Sequence, residues 1–211
     1  MFTCLKAKKI PEVPAQRKGA FHDTESLKRF EDSDVASKVY ELVKNKFFNI
    51  NDWATYCDHT FADFKLFNCN GNPVFRTPEK GDLIRIHIGA CPGNSDFWVT
   101  IQDIVYDYAV DVQRSLIVFR PTYDPYIKQK YIEHFYSRHS TSTFMVIREN
   151  RQITVAVYGR NETPNFDTGF INKIKNTFTA LLAIVGFSKI QWKIFTDAII
   201  KVEMDDLPKV H

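Results

Sequence analysis

Residues 143–160, TFMVIRENRQITVAVYGR, set two runs of alternating side chains on either side of Glu149-Asn150. Period two is the pattern of a strand with one face buried, and Asn tolerates the positive φ that a tight hairpin turn demands. Val155 and Val157 mark one face of the second run, and Ala156, Tyr158 and Arg160 mark the other. After residue 166 the period changes. Asp167 or Thr168 can cap a helix whose apolar stripe runs Phe170, Ile174, Phe178, Leu181 and Val185, at the spacings of three and four that put residues on one helical face. Gly186 interrupts the stripe, Ser188 to Gln191 has the form of a capping box, and the stripe resumes at Trp192, Phe195, Ile199 and Val202. A hairpin followed by an amphipathic helix, kinked or broken near Gly186, points to an α+β chain.

Upstream, the same alternation recurs. Phe64 and Leu66 lead to Asn70-Gly71-Asn72-Pro73, a turn signal. Ile84, Ile86 and Ile88 alternate with Leu83, Arg85 and His87, and Phe97–Tyr106 and Leu116–Arg120 add two more strands. Residues 123–137 are compatible with a loop, a short helix or part of a strand. Before these strands, Asp32, Ser33 and Asp34 offer helix-capping oxygens ahead of Val35, Val39, Leu42 and Val43. Asn49–Tyr56 reads as a second short helix anchored by Trp53, and Ala20–Glu31 as a polar edge strand. Residues 1–19, with Pro11, Pro14 and Gly19 among lysines, read as a weakly ordered arm ahead of one domain over 20–211.

Composition narrows the function. The chain has 211 residues, a formal net charge of +3 and 14% aromatic residues (18 Phe, 9 Tyr and 3 Trp). Its basic residues are interleaved with acidic ones and form no stripe, so nucleic acid is not an expected partner. No run approaches the roughly 18 apolar residues of a membrane span, and Lys6, Lys8 and Lys9 break any secretory signal. The expected location is the cytoplasm, with Cys4, Cys57, Cys69 and Cys91 reduced. No spacing of Cys or His suggests a metal. His134 and His139 are five apart, which matches neither a helical face nor a strand face. Phosphate and dinucleotide motifs are missing, as is a nucleophile elbow, and no cofactor is expected.

The segment Asp34-Val-Ala-Ser-Lys-Val-Tyr-Glu-Leu-Val43, followed by Trp53, resembles the first two helices of the START-like (SRPBCC, helix-grip) superfamily. That superfamily includes polyketide cyclases and plant pollen-allergen relatives. Gly81-Asp82-Leu83-Ile84-Arg85-Ile86 resembles its entry into a middle strand. The resemblance spans roughly residues 20–203, with a long insertion at Tyr123–His139 and the break at Gly186 as departures. It implies a curved antiparallel sheet closed over a C-terminal helix, with a cavity between them that takes a lipid, a polyketide or another small hydrophobic or amphipathic molecule. It implies no universal catalytic residue.

Ring-bearing residues expected nearest such a cavity are Trp53, Tyr106, Tyr158, Phe178 and Trp192, with Leu182 on the closing helix. Arg160 and Glu162, at the end of the last strand, are the groups expected to orient a ligand's polar end. An Arg matches a carboxylate bidentately, and a desolvated Glu can act as acid or base. Plain packing accounts equally for the rings, and a surface loop for Arg160 and Glu162. Three functions therefore stand side by side: a binding module, a cyclase, aromatase or hydrolase using the same cavity, and an interaction protein, such as a homodimer, whose rings fill its own core.

Overall fold

Asp32 begins the first helix. Its side chain accepts the backbone N–H of Asp34 at 2.6 Å and of Val35 at 3.0 Å, satisfying donors that a helix start leaves free. The helix, α1 (Ser33–Phe48), buries Ala36, Val39, Tyr40, Val43 and Phe47 along one side. A 3₁₀ turn (Ile50–Asp52) and the four-residue α2 (Trp53–Tyr56) follow. The computed structural model describes residues 6–58, 62–88, 96–109, 111–128, 131–132, 134–165 and 190–202. Phe178, Leu182 and Gly186, with the helical stripe of residues 170–185, lie outside these.

Seven antiparallel strands form one sheet: β1 (Ala20–Arg29), β2 (Asp63–Phe67), β3 (Leu83–His87), β4 (Asp96–Tyr108), β5 (Val112–Pro121), β6 (Thr141–Glu149) and β7 (Gln152–Glu162). Their spatial order is β1-β7-β6-β5-β4-β3-β2. Consecutive strands from β2 to β7 are neighbours joined in series, while β1 crosses over to pair with the last strand. The polar β1 is an edge. The β6–β7 hairpin turns at Asn150, whose φ is +52°. At the β2 turn, Asn68 Oδ1 accepts the N–H groups of Asn70 and Asn72, and Gly71 adopts φ +82°.

Alternation decides which side chains meet the helices. Phe64, Leu66, Ile84, Ile101, Ile117, Phe119, Phe144, Val146, Ile153, Val155 and Val157 all face the same side, against α1, α2 and a helix at 190–200. Trp53 sits at the centre. Its ring stacks on Phe144 at 5.5 Å and meets Phe195, Phe64 and Phe119 edge-on at 4.8, 5.3 and 6.3 Å. Its indole N–H donates to the Phe47 carbonyl at 3.0 Å, so the polar tip is satisfied within the core. From the helix at 190–200 come Phe195 and Ile199, and from just beyond it Val202, the residues the stripe predicts. A curved antiparallel sheet gripping helices on one face is the α+β helix-grip arrangement.

The opposite face carries Leu116, Val118, Met145, Ala156 and Tyr158, and it is not left to solvent. Ile10 and Val13 pack against it. Residues 8–19 are held there by polar bonds: Lys8 N–H to Asp23 at 3.0 Å, and Arg160 to the Lys8 carbonyl at 3.1 Å.

Because Phe195 is wholly buried against the rings of Trp53, Phe144 and Trp192 and Ile190 is 61% exposed, the two positions should respond differently. Phe195→Ala is expected to lower the unfolding free energy by about 3–5 kcal/mol, and Ile190→Ala by no more than about 0.5 kcal/mol. Urea denaturation of the two variants checks this.

Candidate functional site

A bulge near the end of β7 organises the site. Along β7, Val155, Val157 and Gly159 face the helices, while Ala156, Tyr158 and Arg160 face away, as alternation predicts. At Asn161 the backbone enters the left-handed region, φ +55°. The register against β1 slips there, with Gly159 opposite His22 but Glu162 opposite Ala20. One extra residue reverses the alternation. Glu162 therefore turns to the helix-facing side, and Arg160 stays on the other.

Asn161 tolerates this backbone because its polar atoms are taken up. Its Oδ1 accepts the N–H groups of Arg17 and Lys18 at 2.8 and 3.2 Å, its own N–H donates to Gln16 Oε1 at 2.8 Å, and its Nδ2 donates to the Ala15 carbonyl at 3.1 Å. Beyond the bulge the chain fastens a loop. Ser140 Oγ donates to the Asn161 carbonyl, Ser137 N–H to the Thr163 carbonyl, and Asn165 Nδ2 to the carbonyls of Ile132 and His134. Residues 134–137 thus form a loop with one bridge, Tyr136 to Pro164. It delivers His134, Phe135 and Tyr136 to a cavity.

That cavity lies between sheet and helices. Its walls include Trp53, Phe64, Phe119, Phe144 and Trp192, and its polar members are Ser142, His134, Tyr136 and Glu162. About 50 Å³ is open, several times the roughly 10–15 Å³ that a single water needs. Trp192 is half-buried on the helix at 190–200, with its ring edge-on to Phe144 at 5.1 Å.

The polar end rests on a row crossing three strands, where Gly159 pairs with Ser142 on one side and His22 on the other. His22 Nδ1 and Glu162 Oε1 are 2.8 Å apart, and both side chains are buried. They occupy the space a side chain at 159 would need: a Cβ there would approach Glu162 Oε1 and His22 Nδ1 to under 3.0 Å. Glycine inside a strand often marks such a close approach. His22 Nε2 is buried without a hydrogen-bond partner, and the ring lies parallel to Trp192 at 6.3 Å. His134 Nδ1 accepts the Tyr136 N–H at 3.0 Å, which leaves Nε2–H as its donor when neutral. Desolvation pushes this imidazole down to about 3, since burial penalises the charged form.

Of the residues singled out from sequence, Trp53, Glu162 and Trp192 come together around the cavity. Tyr158 and Arg160 lie on the opposite face. Tyr158 Oη donates to Glu25 at 2.8 Å, and burial first, with that carboxylate second, holds its phenol far above the usual range. Arg160 is 1% exposed and pairs with Asp23 at 2.6 Å. Arg160 and Glu162 thus serve opposite sides of one sheet. Tyr106 is 47% exposed beside Phe48 and Tyr108, away from the cavity. His22, Phe135, Tyr136 and Ser142 were not expected at the cavity from the sequence, and His134 was weighed there only as a metal ligand beside His139. The available signal for His22 was Gly159, a glycine within an otherwise regular strand pattern.

No protein-family model matches the chain, and no curated protein matches it. Solved structures of similar arrangement include a hypothetical protein of Helicobacter pylori, 8% identical, with a TM-score of 0.43 over 91% of this chain and 98% of that one. They also include a point mutant of norcoclaurine synthase from Thalictrum flavum in complex with a transition-state analogue (9%, 0.36, 88% and 98%). A third is the major latex-like protein 151 of Panax ginseng (12%, 0.33, 79% and 98%). At such identities and TM-scores the likeness carries nothing about activity, and the fold here rests on its own strand order and packing.

Two outcomes follow from this geometry. Gly159→Ala should cost about 1–3 kcal/mol through overpacking, and less than half of that in a His22→Ala/Glu162→Ala background, as a double-mutant cycle by urea denaturation would show. Folded His134 takes a proton only near pH 3, whereas the unfolded side chain takes one near 6.5. Between those values the unfolded state binds more protons, so this group lowers stability as pH falls from about 6.5 towards 3. Relative to His134→Asn, the wild-type protein should lose about 1.4 kcal/mol per pH unit below 6, measured by denaturation at stepped pH.

Proposed function

We propose that the chain binds a small apolar or amphipathic molecule in the cavity beneath Trp192, with Glu162, His134 and Ser142 orienting its polar end. The observation that carries this reading is convergence. Rings of Trp53, Phe64, Phe119, Phe144 and Trp192 supply the walls, and the polar groups gather where β6, β7 and the 134–136 loop meet. Apolar walls with a few convergent polar groups are the usual form of a small-molecule site. Burial of apolar ligand surface supplies affinity, at roughly 25 cal/mol per Å² before the cost of association.

The size of the cavity sets a condition. An occupant of more than a few heavy atoms requires a ring to move, and Trp192 is half-buried where Trp53, Phe64, Phe119 and Phe144 are buried. Binding is therefore expected to displace Trp192, while Trp53, held by its bond to the Phe47 carbonyl and by four rings, stays in place.

Native mass spectrometry with a panel of small hydrophobic alcohols, amines and short fatty acids tests the proposal. Uptake of at least one member is expected, together with a change in tryptophan fluorescence that Trp192→Phe reduces. If the panel is not taken up, or if uptake leaves tryptophan fluorescence unchanged, the proposed site is wrong.

A further inference from the structure

Glu162 is a carboxylate on the wall of an otherwise ring-lined cavity, 6% exposed. Its charge balance can be followed group by group among the described residues. Arg160, the nearest cation along the strand, is on the opposite face and matched by Asp23 at 2.6 Å. Lys193, on the helix at 190–200, is matched by Asp197 at 2.6 Å and also donates to Ser26. His134 is held neutral by burial. That leaves His22, whose Nδ1 meets Glu162 Oε1 at 2.8 Å.

The state of His22 follows from its other nitrogen. Nε2 is buried and has no partner. A doubly protonated ring would bury an N–H with nothing to accept it, which is costly. The neutral tautomer with hydrogen on Nδ1 donates to the carboxylate and leaves only a lone pair unmatched. In that state His22 brings no cation to the carboxyl group, and Glu162 Oε2 has no hydrogen-bond donor among the described residues. The carboxyl group shares the cavity with Trp192, Phe144, Phe135 and Tyr136. Aromatic faces carry negative partial charge, so they worsen the position of an anion and improve that of a cation. Carboxylate and rings together want the same thing.

We infer that the polar end of the occupant is cationic: a primary or secondary ammonium group on a small apolar body, bound to Glu162 Oε2 and flanked by aromatic faces. Ser142 and the His134 Nε2–H then serve neutral polar atoms on the same molecule. The inference rests on the cavity reading above and gives it a chemical class. The two can fail separately.

A matched trio of probes with one apolar body separates them: 3-methylbutylamine, 3-methylbutan-1-ol and 3-methylbutanoate, titrated calorimetrically at pH 7 and low salt. The ammonium is expected to bind at least ten-fold more tightly than the alcohol, and the carboxylate most weakly. Glu162→Gln retains an oxygen for His22 and removes the charge. It should reduce ammonium binding at least ten-fold and alcohol binding by a clearly smaller factor. Equal binding of amine and alcohol to the wild-type protein overturns the cationic assignment and leaves the cavity reading standing, as does an ammonium preference that survives Glu162→Gln. If none of the three binds, the cavity reading falls with the assignment. The wild-type comparison needs no variant to fold.

Discussion

A sheet whose strands are apolar on one side has to cover that side, and here the covering is organised around one ring. Trp53 comes from a four-residue helix too short to be stable alone. It reaches Phe64 of β2, Phe119 of β5, Phe144 of β6 and Phe195 of the C-terminal helix. One side chain thereby ties two helical segments to three strands of the sheet. Asn51 reinforces the attachment, accepting the Leu66 N–H and donating to the Val74 carbonyl, both at 2.9 Å. Such a packed cluster accounts for much of the aromatic content. It does not fill the space completely, and the remainder is the cavity.

The second constraint is local. Strand alternation alone would put Arg160 and Glu162 on one face, and a single left-handed residue prevents it. Asn161 separates a salt-bridged Arg under the N-terminal segment from a carboxylate beside the cavity. The same residue binds residues 15–18 on one side and, through its carbonyl, the loop that brings in His134 on the other. The outer covering of the sheet and the polar end of the cavity therefore share one joint. Backbone strain of this kind persists only where surrounding bonds hold it, and four hydrogen bonds to residues 15–18 do so.

The site has a cost in stability that a plain core would avoid. His22, Glu162 and His134 are buried polar groups, and Gly159 gives up a side chain to make room for two of them. Val or Leu at these places would bury more apolar surface and leave no unpartnered Nε2. Burial of ionisable groups is weak evidence for stabilisation. Its placement on the wall of a cavity is what makes it chemically informative.

Much of this was legible in the residues alone. Period-two runs around Asn150, the cap at Asp32, Trp53 as an anchor, and the stripe Trp192-Phe195-Ile199 follow from local rules of spacing and hydrogen bonding. Tyr158 and Arg160 share parity with Ala156, so their expected place at the cavity ran against the alternation, and both face away from it. Trp53, Trp192 and Glu162 could be placed near the cavity because each lies where an element ends or faces the core. The partners of Glu162 could not. His22 is 140 residues away in the chain, and its meeting with Glu162 depends on β1 crossing to pair with β7 and on the bulge at Asn161. His134 and Tyr136 sit in a loop whose course is set by bonds to residues 163–165 rather than by any periodicity of its own. Sequence determines what each segment prefers over a few residues. Only the assembled sheet decides which preferences meet, because pairing register and reversal of face are properties of two strands together.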